Sequence, residues 1–251
     1  MLYKGITFFI VLPVLVVVAG MYPPPDSPRW PTKRTAENTE YAEDLRFFSA
    51  ISAGSAVNAM ELILKFEDRF DSLFQYHSEQ LGADWLMAKA IGKKESSFRS
   101  RAVSNCGAQS VMQLMPATDR DIDGVVDGFN VDRNIHNGIF YYQEQYKHFP
   151  EIPDQSERIK FALASYNAGR GNINKAIKLA QRQLIREESK ARGVPITTIK
   201  LSQSKEWQTW DYVAQFLPQV TGPKHSAQTI NYVPSVLGYY HEYKTTAEAT
   251  T

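Results

Sequence analysis

Glu95 is the side chain whose type and place first call for a chemical explanation. It lies in WLMAKAIGKKESSF, residues 85–98, where apolar positions recur at helical spacing. At about 100° per residue, Met87, Ile91, Glu95 and Phe98 fall within one quadrant of a helix, while Lys89, Lys93 and Lys94 point elsewhere. An apolar stripe disfavours the anion and raises a carboxyl pKa, and a carboxyl group that keeps its proton near neutral pH suits general-acid work. The same position also fits a glutamate at a helix end that reaches solvent or a neighbouring turn. An ammonium from Lys94 would lower the pKa if it faced the site, but the projection turns it about 100° away.

Two more segments carry groups of interest. Residues 104–116, SNCGAQSVMQLMP, combine a turn at Gly107 with a short apolar helix expected over 110–116 and stopped near Pro116. Gln113 would present amide donors and an acceptor from its apolar wall. Further on, ASYNAG at 164–169 ends a helix with Tyr166 and Asn167, a surface suited to stacking a sugar ring and hydrogen-bonding an acetamido group. Each segment also has a plain structural reading, as methionine-rich core and as an ordinary helix terminus.

Asp119, Asp121, Asp123, Gly124 and Asp127 match the first part of a calcium loop. Asn130 stands where the bidentate glutamate belongs, so a solvated acidic loop is expected. Glycine-rich phosphate loops, HExxH, GxSxG and CxxC are absent, which removes the usual nucleotide, zinc-protease, serine-hydrolase and redox readings. The single Cys106 excludes an intramolecular disulfide, and the five histidines show no close ligand spacing. Neither metal nor cofactor is expected.

The elements that must position these groups read as helices. Apolar periodicity predicts them at about 41–64, 66–81, 84–95, 110–116, 133–148, 156–167, 172–191, 205–217 and 229–243, with no sustained strand-like alternation. The fold class is therefore all-α. Asp84, Asp132 or Asn134, and Ser156 are candidate N-caps, and Gly169 and Gly193 fall at expected C-termini. The 28 basic and 27 acidic residues among 251 leave no general basic field, so nucleic acid is not an expected partner.

Residues 1–22 carry Lys4 and then an uncharged apolar run interrupted by Pro13, which reads as a signal peptide or membrane anchor. The folded part is then expected outside the cytoplasm, in the periplasm or cell envelope. A proline-rich polar linker follows at 23–40, a helical lead-in at 41–65 and a short tail at 244–251.

Taken in order, the motifs resemble the soluble lytic transglycosylase family of peptidoglycan-cleaving enzymes, whose fold is related to goose-type lysozyme. The resemblance covers about residues 66–243. Glu95-Ser96 stands for the family's Glu-Ser motif, and Gly107-Ala108 through Pro116 for GAxGLMQxMP. Asn134-Ile135 with Gly138 resembles NIxxGxxYL, residues 162–169 resemble ALAAYNAG, and residues 228–233 resemble ETxxYV. PEIPDQSERIKFALASYNAG and WQTWDYVAQFLP look most like the membrane-bound F-type members, without room for the solute-binding domain those usually carry.

The resemblance implies a lysozyme-like helical domain with a substrate groove, acting on peptidoglycan glycan strands. Glu95 would protonate the β-1,4 glycosidic oxygen between N-acetylmuramic acid and N-acetylglucosamine. It would then act as base while the muramic C6 hydroxyl closes a 1,6-anhydro ring. Ser104, Gln113, Met115, Tyr166 and Asn167 would line the sugar subsites, with Tyr232 on the Glu95 side. The chain departs from the motifs at Ser110, Val111, Ser165 and Gln228, and Ser110, where the family has glycine, would narrow the cleft. Lysozyme-type hydrolysis on the same fold and a non-catalytic peptidoglycan-binding protein are the alternatives.

Overall fold

A computed structural model describes residues 66–125, 127–200 and 205–250. The apolar leader, the proline-rich linker and the helix expected at 41–64 lie outside those residues. The described helices run in the order α1 (Asp71–Leu81), α2 (Trp85–Ser96), α3 (Pro116–Asp123), α4 (Val131–Lys147), α5 (Gln155–Ala168), α6 (Arg170–Arg192), α7 (Trp210–Ala214), α8 (Leu217–Thr221) and α9 (Pro223–Thr250). Two single 3₁₀ turns, Ile196–Thr198 and Glu206–Gln208, stand between α6 and α7. No strand forms among the described residues; Gln109 makes isolated bridges to Val103 and Leu114.

The core is built around α5. Residues Phe161 to Tyr166 are buried without interruption, which requires neighbours on every side of a helix. α4, α6, α7 and α9 supply them. Phe161 packs against Phe149 and edge-on against Trp210, and full burial of a side chain such as Phe161 or Leu163 stabilises by about 1.5–3 kcal/mol. α2 lies against α1 on one flank and α9 on the other. The first and last long elements of the domain thus meet at the helix that carries Glu95.

Several expected boundaries shift for identifiable reasons. Asp84 does cap α2, accepting from the amides of Leu86 and Met87. Asn130, rather than Asp132 or Asn134, caps α4 by accepting from Arg133, and Asp154, rather than Ser156, caps α5 by accepting from Glu157. The segment expected as one helix over 205–217 is a 3₁₀ turn followed by two short helices. Pro218 sits in the first turn of α8, where a missing amide is harmless.

The helix expected over 110–116 does not form. Residues 110–113 are turns, and Pro116 opens α3 instead of stopping a helix. Proline is suited to the first helical turn and restricts the residue before it to extended backbone, as Met115 is at ψ 140°.

Candidate active site

Glu95 occupies the last turn of α2. Met87 and Ile91 below it are buried as the periodicity predicts, but Phe98 reaches the core by a different route. The helix ends at Ser96, and Ser97 and Phe98 both adopt positive φ, which folds the chain back beneath Glu95. Lys93 and Lys94 lie elsewhere: Lys93 pairs with Glu67, and the exposed Lys94 donates to Ser235 Oγ at 3.3 Å.

Tyr232 of α9 donates its hydroxyl to Glu95 Oε1 at 2.7 Å. Its ring is only 2% exposed, and burial, followed by the nearby Glu95 charge, holds its pKa far above the usual tyrosine value. It is therefore a permanent donor. Glu95 keeps some exposed surface as a residue, yet protein packs closely around its carboxyl. That burial pushes the pKa up to about 7, against the Tyr232 hydrogen bond and the Lys94 charge, which both lower it. Desolvation wins over Lys94. No carboxylate is among the described groups whose charge acts on Glu95.

The segment between α2 and α3 wraps this site and is tied down at each turn. Ser96 Oγ donates to the Val111 carbonyl at 2.8 Å. Asn134 of α4 accepts from the Met112 amide at 2.8 Å, and Tyr166 of α5 donates to the Met112 carbonyl at 2.7 Å. Gly138 makes room for the Met112 side chain, since a Cβ there would stand 2.6 Å from it. All four non-glycine residues with positive φ among the described residues, Ser97, Phe98, Ser110 and Gln113, fall in this one segment. Strained backbone of this kind gathers at functional sites, where the surroundings must hold it.

The sequence-predicted residues fall into three groups. Glu95, Tyr232 and Tyr166 come together, with the Glu95 charge felt by both phenols. Tyr166 is 8% exposed, its ring tilted against Tyr141. Asn167 accepts from Thr229 Oγ1 at 2.8 Å and helps line a pocket of about 290 Å³ with Ala168, Asn172, Val220, His225, Gln228 and Thr229. Thr229 lies one turn of α9 before Tyr232, so this pocket adjoins the Glu95 site. Ser104, Gln113 and Met115 lie on the wrapping segment. Ser104 Oγ accepts from the Ala108 amide. Gln113 spends both amide hydrogens on the carbonyls of Ala102 and Ser110. Met115 stands 41% exposed.

Ser110 is fully buried, so its hydroxymethyl group fills interior space and does not narrow the groove. The aspartate run starts on helix α3 and not in a calcium-type loop; Asp121, Asp123 and Asp127 are exposed, as expected of a solvated acidic stretch, while Asp119 is buried. Asp119 and Asp123 lie one turn apart on α3, and both are engaged by Arg133 and by the amide of Asn137. The guanidinium holds the Asp123 carboxyl well below the usual carboxylate range. Asn134, Ser96, Thr229 and Gln228 have no expected role at the site, Asn134 being read only as a possible N-cap and Gln228 only as a departure from the motif. All four stand inside the quoted motifs, which was the available signal.

Residues 72–189 match the family described as Transglycosylase SLT domain. The membrane-bound lytic murein transglycosylase F of Shewanella frigidimarina is 27% identical over 243 residues, covering 92% of this chain and 48% of that protein. Its counterpart in Marinobacter nauticus is 27% identical over 208 residues, 78% of this chain and 37% of that protein. The chain thus spans about half or less of the length of these relatives. Among solved structures, an inactive mutant of the lytic transglycosylase Slt from Pseudomonas aeruginosa superposes with a TM-score of 0.52 at 19% identity, over 86% of this chain and 37% of that one. That likeness is one of fold, and it agrees with the all-helical, lysozyme-like architecture.

Proposed function

This chain carries a transglycosylase SLT domain distantly related to the lytic murein transglycosylases, and we propose that it cleaves the β-1,4 bond between N-acetylmuramic acid and N-acetylglucosamine in peptidoglycan, leaving 1,6-anhydromuramic ends. The observation that carries this reading is the Glu95 carboxyl, buried, hydrogen-bonded by Tyr232 and raised to about 7. At neutral pH a large share of it is protonated and ready to donate to the glycosidic oxygen.

As the leaving sugar departs with that proton, positive charge develops at the muramic C1. Most glycosidases meet this charge with a second carboxylate. In the family that this chain resembles the substrate's own 2-acetamido group meets it, and the same role is assigned here. Glu95, now ionised and steadied by the Tyr232 hydroxyl, takes the proton of the C6 hydroxyl as its oxygen bonds to C1. The acetamido oxygen is released, no water is consumed, and Glu95 ends protonated as it began. Tyr166 and Asn134 act at one remove by fixing Met112, while Asn167 and the pocket beside it offer amide groups to the sugar.

The name of the F-type relatives, together with the apolar residues 1–22, supports a chain exported to the periplasm or cell envelope and anchored there if that segment is retained. No helix among the described residues is long and apolar enough to cross a membrane.

Digestion of purified peptidoglycan by the full chain, with mass spectrometry of the released fragments, tests the reaction. Anhydromuramic ends that vanish in Glu95→Gln are expected. Reducing ends would instead assign hydrolysis, and binding without release would assign an inactive groove.

A further inference from the structure

A second pocket, of about 400 Å³, lies next to the one beside Asn167. Lys175, Lys178, Leu179 and Arg182 of α6 and Gln219 and Val220 of α8 line it. Val220 lines both pockets, so the second neighbours the pocket that adjoins Glu95. Lys175, Lys178 and Arg182 are exposed and follow one another at three- and four-residue spacing, which places them on one face of α6. Arg186 continues the row one turn further. The acids of this helix are turned away and occupied: Glu187 accepts from Gln183, and Glu188 pairs with Arg192. Among the described residues, none of the four cations in the row has an ion-pair partner.

In a chain whose net charge is +1, such a row is a local concentration and not a by-product of general basicity. It faces a cavity whose floor is apolar, from Leu179 and Val220. The combination suits a ligand with several carboxylates on a short aliphatic backbone. We propose that this pocket binds the carboxylates of the acidic stem peptide borne by the muramic acid of peptidoglycan, so that the chain reads the peptide as well as the glycan. The proposal rests on peptidoglycan being the substrate. An extended peptide advances about 3.3–3.6 Å per residue, so one hanging from a sugar beside Asn167 would pass Val220 within a few residues. Ammonium groups on flexible stems tolerate variation in the peptide, while the Arg182 guanidinium offers a two-pronged contact to one carboxylate.

Exposed charge pairs are individually weak, so the test uses the double variant Lys178→Ala/Arg182→Ala in the full chain. Its kcat/KM and its pelleting with insoluble substrate would be compared on peptide-bearing peptidoglycan and on the same strands stripped of peptide by an amidase. A loss of about ten-fold on peptide-bearing strands is expected at low salt, with none on stripped strands and a smaller gap at high salt. Unchanged cleavage of stripped strands would also show that the variant folds.

Equal losses on both substrates, no loss on either, or a loss of binding to anionic lipid vesicles instead would overturn the proposal. If the unaltered chain releases no fragments from either substrate, the cleavage reading falls. Pelleting then decides the pocket by itself: weaker binding of the variant to peptide-bearing strands alone supports it, and any other pattern overturns it.

Discussion

Glu95 holds its proton because the protein around it removes water, and that has two measurable consequences. Its pKa rises from 4.5 to about 7 on folding, so the native state binds more protons than the unfolded chain between those values. Stability attributable to this group is fully present below about 4.5 and is lost as pH rises through about 7. Glu95→Gln stays neutral throughout. It should abolish cleavage and yet raise stability at pH 8 by roughly 1–3 kcal/mol, a gain that disappears at pH 4.5. Thermal denaturation at the two pH values checks this, and a variant less stable at pH 8 would sink it. Tyr232→Phe removes a hydrogen bond that lowers the Glu95 pKa. Its pH–rate profile should keep activity to higher pH while kcat falls about ten-fold or more. Glu95 was legible in the sequence because a carboxylate in an apolar stripe is a local contradiction. The contact with Tyr232 was not, because periodicity along one helix carries no information about which residue of another helix will face it.

At the scale of elements, the segment between α2 and α3 is where local pattern and structure part. Val111, Met112 and Leu114 are buried, as in the apolar helix expected there. Burial arises instead from a tied loop with left-handed turns at Ser110 and Gln113, held by Ser96, Asn134 and Tyr166. Such long-range hydrogen bonds override helix propensity and leave no periodic trace in sequence. Ser110 has φ 62° and a buried hydroxyl without a hydrogen-bond partner among the described residues, and Ser165 has a buried hydroxyl in the same condition. Ser110→Gly should raise stability by about 1 kcal/mol through relief of left-handed strain and of the unpaired hydroxyl. Ser165→Ala should add about as much from its hydroxyl alone. Calorimetry reads both, and a fall in Tm for either would refute its argument. Gly138→Ala drives a methyl group into Met112 and should cost about 1–3 kcal/mol. Its activity should fall further than the unfolded fraction explains, because Met112 anchors the loop beneath Glu95.

At the scale of the whole molecule, the all-α class followed from apolar spacing, whereas the central place of α5, buried from Phe161 to Tyr166, emerged only with the helices packed around it. What spacing hid was the charge wiring across elements. Asp119, Asp121 and Asp123 look like alternate ligands in a list of residues. On a helix Asp119 and Asp123 share a face while Asp121 turns away, and Arg133 from α4 takes both. Lys89 is likewise buried between Asp68 and Asp71, a cation that amphipathic reading sends to solvent.

The bond from Tyr232 to Glu95 joins residues 137 positions apart, and α9, which supplies the tyrosine, is the last long helix described. During synthesis the chain appears in order, so Glu95 is made well before the helix that supplies its hydrogen-bond partner. Until α9 docks, that carboxyl is an ordinary solvated acid, ionised at neutral pH and unable to donate a proton. The donor state of Glu95 is thus a property of the packed domain and not of the helix that carries it: a fragment that holds α2 but not α9 would keep the residue and lose its partner.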